Sequence, residues 1–393
     1  MQETTRHISP RQYALLELAG FLGIGIFEFP RALVSTSGNN AWWGFLLSWG
    51  VAYVGVWLLL KVAYVDPRET LFGMARRIMP DYVYWGFGVV DTALHILLPI
   101  ISLGQFGFVI VTFFLPETPI WMVELTLMGI ACLVAWWELP ALARSTEMLF
   151  VPTMMISITL LALLVPHVAD AYAMLPSLNV RLMPVAYGGL RTFYIFIGFE
   201  VIPILWPYIR RQDQPQARRY TYYAVTGAGI FYAIVMAVTV GVENPWYLRH
   251  LEWPGVSALR LIDVQGLIIN KLGLLIVVFW GVVSLIFISV RLWAITHVIL
   301  PMIHRRTIHW YRGMVLGLAV LIFLLVRTVP NIAVIDRLTR FMVPLMVGFV
   351  LGYPPLFILA AVTIQSRRRR RRGPAPPARR LSAKQRRERL GFD

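Results

Sequence analysis

The feature that most limits this chain is its succession of long apolar runs, roughly one every 30 to 40 residues, with no alternation into strands. With 58% hydrophobic and 14% charged residues in that pattern, the sequence predicts an all-α integral membrane protein. A spanning helix needs about 20 predominantly apolar residues. Ten runs meet that rule, at roughly residues 12–35, 41–65, 82–115, 119–140, 146–166, 185–209, 220–242, 267–299, 313–329 and 334–364.

The start of the chain carries charges and no short apolar stretch before a small-residue cleavage site, so the first run is expected to stay as a span. Cys132, the single cysteine, falls in the fourth run and is expected to be an inert packing residue. With the N-terminus inside, the inner connections hold Arg6, Arg11, Lys61, Arg68, Arg76, Arg77 and more, while the opposite connections hold half as many, such as Arg181, Arg249 and Arg260. The bias predicts both termini on the cytoplasmic side.

Two connections are unusual. "DPRETLFGMARRIMP" has an apolar face at Leu71, Phe72, Met74, Ala75 and Ile78 beside Arg76 and Arg77, and reads as a short helix at the inner interface. Glu243 to Lys271, rich in Trp, Pro and charge, is long enough to be expected to act as a lid. The domain division is then a membrane domain, residues 1–365, and a disordered tail, 366–393. That tail, from Ser366, has twelve basic and two acidic residues and supplies +10 of the net +16. Directly after a span, such a run points to anionic lipid and not to nucleic acid.

Within the first run, "GFLGIGIFEFPRAL" places Gly23, Gly25, Glu28, Pro30 and Arg31 where a helix should be continuous. Glycine costs about 1 kcal/mol relative to alanine inside a helix, and proline removes a backbone bond and clashes with the preceding turn. A break in mid-membrane is expected, and non-helical backbone at that depth is tolerated only where it is buried in protein or lines a wet cavity. A half-helix N-terminus suits a carboxylate and a half-helix C-terminus suits a cation, so the two halves together suit an amino acid zwitterion. Close helix packing explains the glycines equally well. The sixth run, "TFYIFIGFEVIPILWPYI", repeats the pattern with Gly198, Glu200, Pro203 and Pro207. Two interrupted spans five apart are what an inverted repeat of five plus five helices predicts.

"GIGIFEFP" and "FIGFE" resemble the paired first- and sixth-helix motifs of the amino acid, polyamine and organocation transporter superfamily. Within it, "ISPRQ" at Ile8 to Gln12 and "LEWPGVSALRLIDVQGLI" at Leu251 to Ile268 resemble the spore germination permease family, the B subunit of germinant receptors. The resemblance implies a leucine-transporter-like fold binding a small amino acid between unwound helices one and six. Its carboxylate would meet the backbone N–H groups of Gly23, Ile24, Gly25 and Ile26, and its ammonium the carbonyls of Ile197, Gly198 and Phe199. Selectivity would come from Leu103, Gln105, Phe193 and Phe287. The family also implies a larger membrane subunit and a lipoprotein as partners, in the spore inner membrane. A stand-alone amino acid transporter is the alternative reading.

Ionisable residues inside spans are costly and need partners. Glu28 and Arg31, three apart, can pair on one face or serve as an outer gate or ligand contact, and Asp91 and His95, four apart, could form a proton-sensitive pair, although that spacing is common by chance. Glu200 is expected either to hold the second break by accepting backbone N–H groups or to line a wet vestibule, with Arg191 and Arg291 as candidate partners for it or for Glu138. The fifth run has no lysine to replace a cation, and Ser284 and Ser289 offer hydroxyls without a carboxylate, so ion coupling has no support in the sequence. No P-loop, HExxH, CxxC or Gly-x-Ser-x-Gly occurs, which argues against an enzyme, a cofactor or a metal centre.

Overall fold

The computed structural model describes residues 7–262, 275–305 and 307–372. Fifteen α-helices follow in order: α1 (Pro10–Phe21), α2 (Phe29–Ser37), α3 (Ala41–Ala63), α4 (Leu71–Ile78), α5 (Asp81–Phe113), α6 (Ile120–Trp136), α7 (Glu138–Leu163), α8 (Leu182–Thr192), α9 (Ile202–Leu205), α10 (Gln214–Val242), α11 (Pro245–Leu248), α12 (Pro254–Leu259), α13 (Leu275–Met302), α14 (Ile308–Arg327) and α15 (Ile332–Arg372). The only β pairing among the described residues is an isolated parallel bridge between Ile8 and Ile209.

Seven helices are long and apolar enough to cross a membrane, or eight if the bent pair Leu182–Phe196 and Phe199–Tyr208 is one span. One of the seven runs from Phe29 to Ala63. Within it, Gly38 has φ +56°, and Leu33 and Ser37 of α2 lie against Gly44 of α3, so the chain folds back on itself there. α6 has 17 residues and α1 only 12. Every expected run thus overlaps helix, but a count of ten spans depends on these short and broken pieces. The part of the eighth run before Leu275 lies outside the described residues.

The local signals are ordinary ones. "ISPRQ" is a capping box: Gln12 N–H donates to Ser9 Oγ at 3.2 Å, Ser9 N–H donates to Gln12 Oε1 at 3.0 Å, and Pro10 takes the first helical position, where its missing N–H costs nothing. α4 forms as expected, capped by Thr70, with Leu71, Phe72, Met74 and Ala75 buried and Arg77 2.8 Å from Asp66. α15 continues past Ser366 to Arg372, so the segment expected to be disordered begins as helix; arginine is a good helix former.

Packing sets the two broken segments at the centre. α1 lies against α7, α10 and α13, while α13 also packs on α5 and α6. α3 packs on α8 and α15. Gly44 and Gly189 let α3 and α8 approach closely, Gly188 makes room for Ser37 of α2, and Ser48 Oγ donates to the Gly189 carbonyl across the α3–α8 seam.

Candidate functional site

The first break runs from Leu22 to Glu28, between α1 and α2. Gly25 has φ +75°, a left-handed backbone that suits glycine, and a side chain there would run into the Tyr194 ring. A side chain at Gly23 would run into the Phe287 ring. Close packing and unwinding, alternatives from the sequence, therefore hold together at the same glycines. The carbonyls of the break are satisfied by neighbouring hydroxyls: Ser102 donates to Gly23 O at 3.1 Å, and Tyr232 to Phe21 O at 3.0 Å and Ile24 O at 3.4 Å. The N–H groups are different. Those of Ile24, Gly25, Ile26 and Phe27 donate to no acceptor among the described residues.

Beside the break lies a small cavity of about 30 Å³. Gly23, Gly25, Ile26 and Glu28 form one wall; Ser102 and Gln105 of α5, Trp280 and Ser284 of α13, and Trp253 close it. Trp253 belongs to the connection expected to act as a lid, and that connection is fastened to the break: Gly255 N–H donates to Phe27 O at 3.1 Å. Residues 263–271 of that connection lie outside the described residues.

Glu28 and Arg31 do face each other, at 3.6 Å, but in a larger group. Arg31 also reaches Glu252 at 2.6 Å and Asp336 of α15 at 3.1 Å, while Gln105 donates to Glu28 at 3.1 Å. One guanidinium thus joins α2, the α11–α12 connection and α15 over the cavity. Glu252 and Asp336 could not be found from spacing, because the pairing spans 221 and 305 positions.

The second break starts where α8 ends. Phe193–Phe196 is a 3-10 turn, Ile197 and Gly198 are non-helical, and Phe199–Val201 is a further 3-10 turn before α9. The two halves meet at 59°. A Cβ on Gly198 would overlap the backbone of Gly20 and Phe21, so the two broken spans touch through bare backbone. Phe193, Ile197, Phe199 and Glu200 are buried, at 0%, 1%, 0% and 3% exposure, and none of them lines the cavity at the first break. Phe193 and Phe199 stack edge to face at 6.2 Å, and Phe199 lies 5.6 Å from Phe21.

Glu200 does not hold the break through backbone N–H groups, as the sequence suggested. Its carboxylate turns to α13, where Oε1 lies 2.8 Å from Nη2 of Arg291, a close ion pair without hydrogen-bond alignment. Arg291 is fully buried and sits 4.5 Å from the centre of the Phe287 ring. Glu17 of α1 and the Asp91–His95 pair of α5, itself 3.4 Å apart, stand within electrostatic reach of this ion pair. Neither oxygen of the fully buried Glu17 has a hydrogen-bond partner among the described residues. The sequence singled out four members of this group and missed Glu17; an acid six residues before Gly23, inside an apolar run, was the available signal. Arg191 joins neither Glu200 nor Glu138. Of the selectivity residues, Gln105 lines the cavity, Leu103 and Phe193 are core, and Phe287 packs on Gly23.

A family model described as spore germination protein matches residues 7–333. The chain is 24% identical to spore germination protein YndE of Bacillus subtilis over 284 residues, 71% of this chain and 77% of that protein. It is 22% identical to spore germination protein B2 of the same organism, covering 71% and 75%. Among solved structures, a nucleobase-cation-symport-1 family transporter in a closed conformation with bromovinylhydantoin bound superposes with TM-score 0.61 at 14% identity, over 91% of this chain and 80% of that one. A manganese transporter of Eremococcus coleocola gives 0.54 at 11% identity, over 89% and 78%. Identities this low speak for the fold alone, a leucine-transporter-like arrangement with two broken helices. With apolar helices fit to cross a membrane and a family match over most of its length, this chain belongs to the spore germination protein family of multi-pass membrane permeases.

Proposed function

We propose that this chain is the membrane subunit of a nutrient-sensing germination receptor, and that it binds a small amino acid at the break between α1 and α2. The observation that carries the reading is the run of N–H groups from Ile24 to Phe27 without acceptors, beside a cavity that also offers the Glu28 carboxylate. The ligand carboxylate takes the N–H groups of Ile24, Gly25 and Ile26, while that of Gly23 stays with the Gly20 carbonyl, 3.3 Å away. Its ammonium lies toward the Gly23 carbonyl and Glu28. Phe193, Ile197, Gly198, Phe199 and Glu200 act one layer out, because Gly198 bears on Gly20 and Glu200 is tied to Arg291. Occupancy then shifts α1 and the second broken span against α5 and α13, and the shift passes to a larger membrane subunit and a lipoprotein. The reading places both termini in the cytoplasm, the protein in the spore inner membrane, and the basic tail beyond residue 365 on anionic lipid.

The second reading, a stand-alone amino acid transporter, is favoured by the likeness to transporter structures. Purified protein in liposomes separates the two. The receptor reading expects saturable amino acid binding with no accumulation under a sodium or proton gradient; gradient-driven uptake would replace it with the transporter reading.

A further inference from the structure

A second cavity, of about 260 Å³, opens at the end of the bundle that carries α11 and α12. Glu28 lines both cavities, so the two share a wall. Four guanidiniums face this second space, from Arg31, Arg191, Arg249 and Arg340. The carboxylates nearby are Glu28, Asp336 and Glu252, and all three gather on Arg31. Arg340 donates to the Asp336 backbone carbonyl at 3.2 Å. Arg191 and Arg249 make no salt bridge or side-chain hydrogen bond among the described residues, although Glu28 lies within electrostatic reach of Arg191. Between them the space is left positive.

A second observation is independent of that charge. Tyr194 lines the same space, is 3% exposed, and its hydroxyl has no hydrogen-bond partner among the described residues. Buried hydroxyls are normally partnered, and an exception calls for an explanation. Its ring is the one that Gly25 must clear, so whatever engages the hydroxyl bears on the first break.

We propose that this second cavity is a binding subsite for a small carboxylate, with Arg191 and Arg249 holding the anion and the Tyr194 hydroxyl donating a further hydrogen bond to it. Guanidinium groups match a carboxylate in plane and can donate in pairs, and such charge-assisted bonds are the strong ones. A positive mouth with low-dielectric walls also concentrates anionic solutes at the entrance. The subsite is distinct from the amino acid site at the break, since it needs only the anionic end of a molecule.

The test uses the purified full chain in neutral detergent, titrated with acetate and with succinate against chloride at equal ionic strength and pH, with inorganic phosphate and ethylamine as further arms. Binding is read by calorimetry and by thermal unfolding. Saturable binding of the carboxylates is expected, with none of ethylamine. Arg249→Gln alters an exposed side chain that holds nothing else in place, and should weaken carboxylate binding roughly tenfold, as expected for loss of one charged hydrogen-bonding partner. Arg191→Gln and Tyr194→Phe should weaken it too. Carboxylates acting no differently from chloride, phosphate binding as well as they do, or Arg249→Gln and Arg191→Gln both binding like the wild type would overturn the proposal. Because these probes lack an ammonium, their failure would not touch the amino acid reading, which the liposome experiment decides.

Discussion

Arg291→Met removes the one guanidinium among the described residues that pairs with Glu200 while keeping an unbranched apolar side chain of related length. Arg291 is fully buried and the Glu200 side chain is 2% exposed, so solvent screens neither. Removing one partner of a buried ion pair costs about 3–5 kcal/mol, because the other charge stays behind. The structure puts this variant at the upper part of that range: Glu17 and Asp91 also draw on Arg291, and only Asp91 has a second partner, His95. Replacing both members of a buried pair by apolar residues is often neutral, so Arg291→Met with Glu200→Leu should recover most of the loss. Adding Glu17→Gln should recover more. Equilibrium unfolding in mixed micelles, followed by tryptophan fluorescence, measures each step. A single variant within about 0.5 kcal/mol of the wild type, the margin of an ordinary surface substitution, would refute the reasoning. So would a double variant no more stable than the single.

Ser9→Ala deletes the side-chain half of the capping box and should cost about 0.5–2 kcal/mol of stability, read in the same unfolding assay, with Gln12→Ala adding little to it. Arg31→Gln should loosen the link between α2, Glu252 and α15; in a Cys132→Ala background, Ser284→Cys in the cavity should then react several-fold faster with a water-soluble thiol reagent, an estimate that assumes opening by about 1 kcal/mol. An unchanged rate would mean that Arg31 does not close the cavity.

The two breaks were legible because glycine and proline act locally and fall together there, Gly23, Gly25 and Pro30, then Gly198, Pro203 and Pro207, whereas single prolines such as Pro99 and Pro152 stay inside continuous helices. Pairs on one helix were legible for the same reason, as with Asp91–His95 and Glu28–Arg31. What the sequence could not give was partnership across the fold. For Glu200 the sequence offered a local role on backbone N–H groups and two candidate partners, Arg191 and Arg291; only packing singles out Arg291, 91 positions away. The same holds for Glu252 and Asp336 on Arg31, and for the Tyr194 ring that explains Gly25. Nor could spacing show that the second break would meet the first through Gly198 and Gly20 while leaving the cavity to be walled by α5, α13 and Trp253.

The central claim is that the unwound backbone from Gly23 to Phe27 binds an amino acid, and equilibrium binding of a panel of labelled small amino acids to the purified protein tests it most directly. Gly25→Leu places a side chain at φ +75° and against the Tyr194 ring, and a left-handed backbone alone costs an ordinary residue about 1–2 kcal/mol. Ser102→Ala is the milder companion, removing only the hydroxyl that holds the Gly23 carbonyl. The account predicts saturable binding by the wild type, weaker binding by Ser102→Ala, and none by Gly25→Leu that still elutes as a folded monodisperse protein. Wild-type affinity in folded Gly25→Leu, or no saturable binding of any amino acid by the wild type, would contradict it.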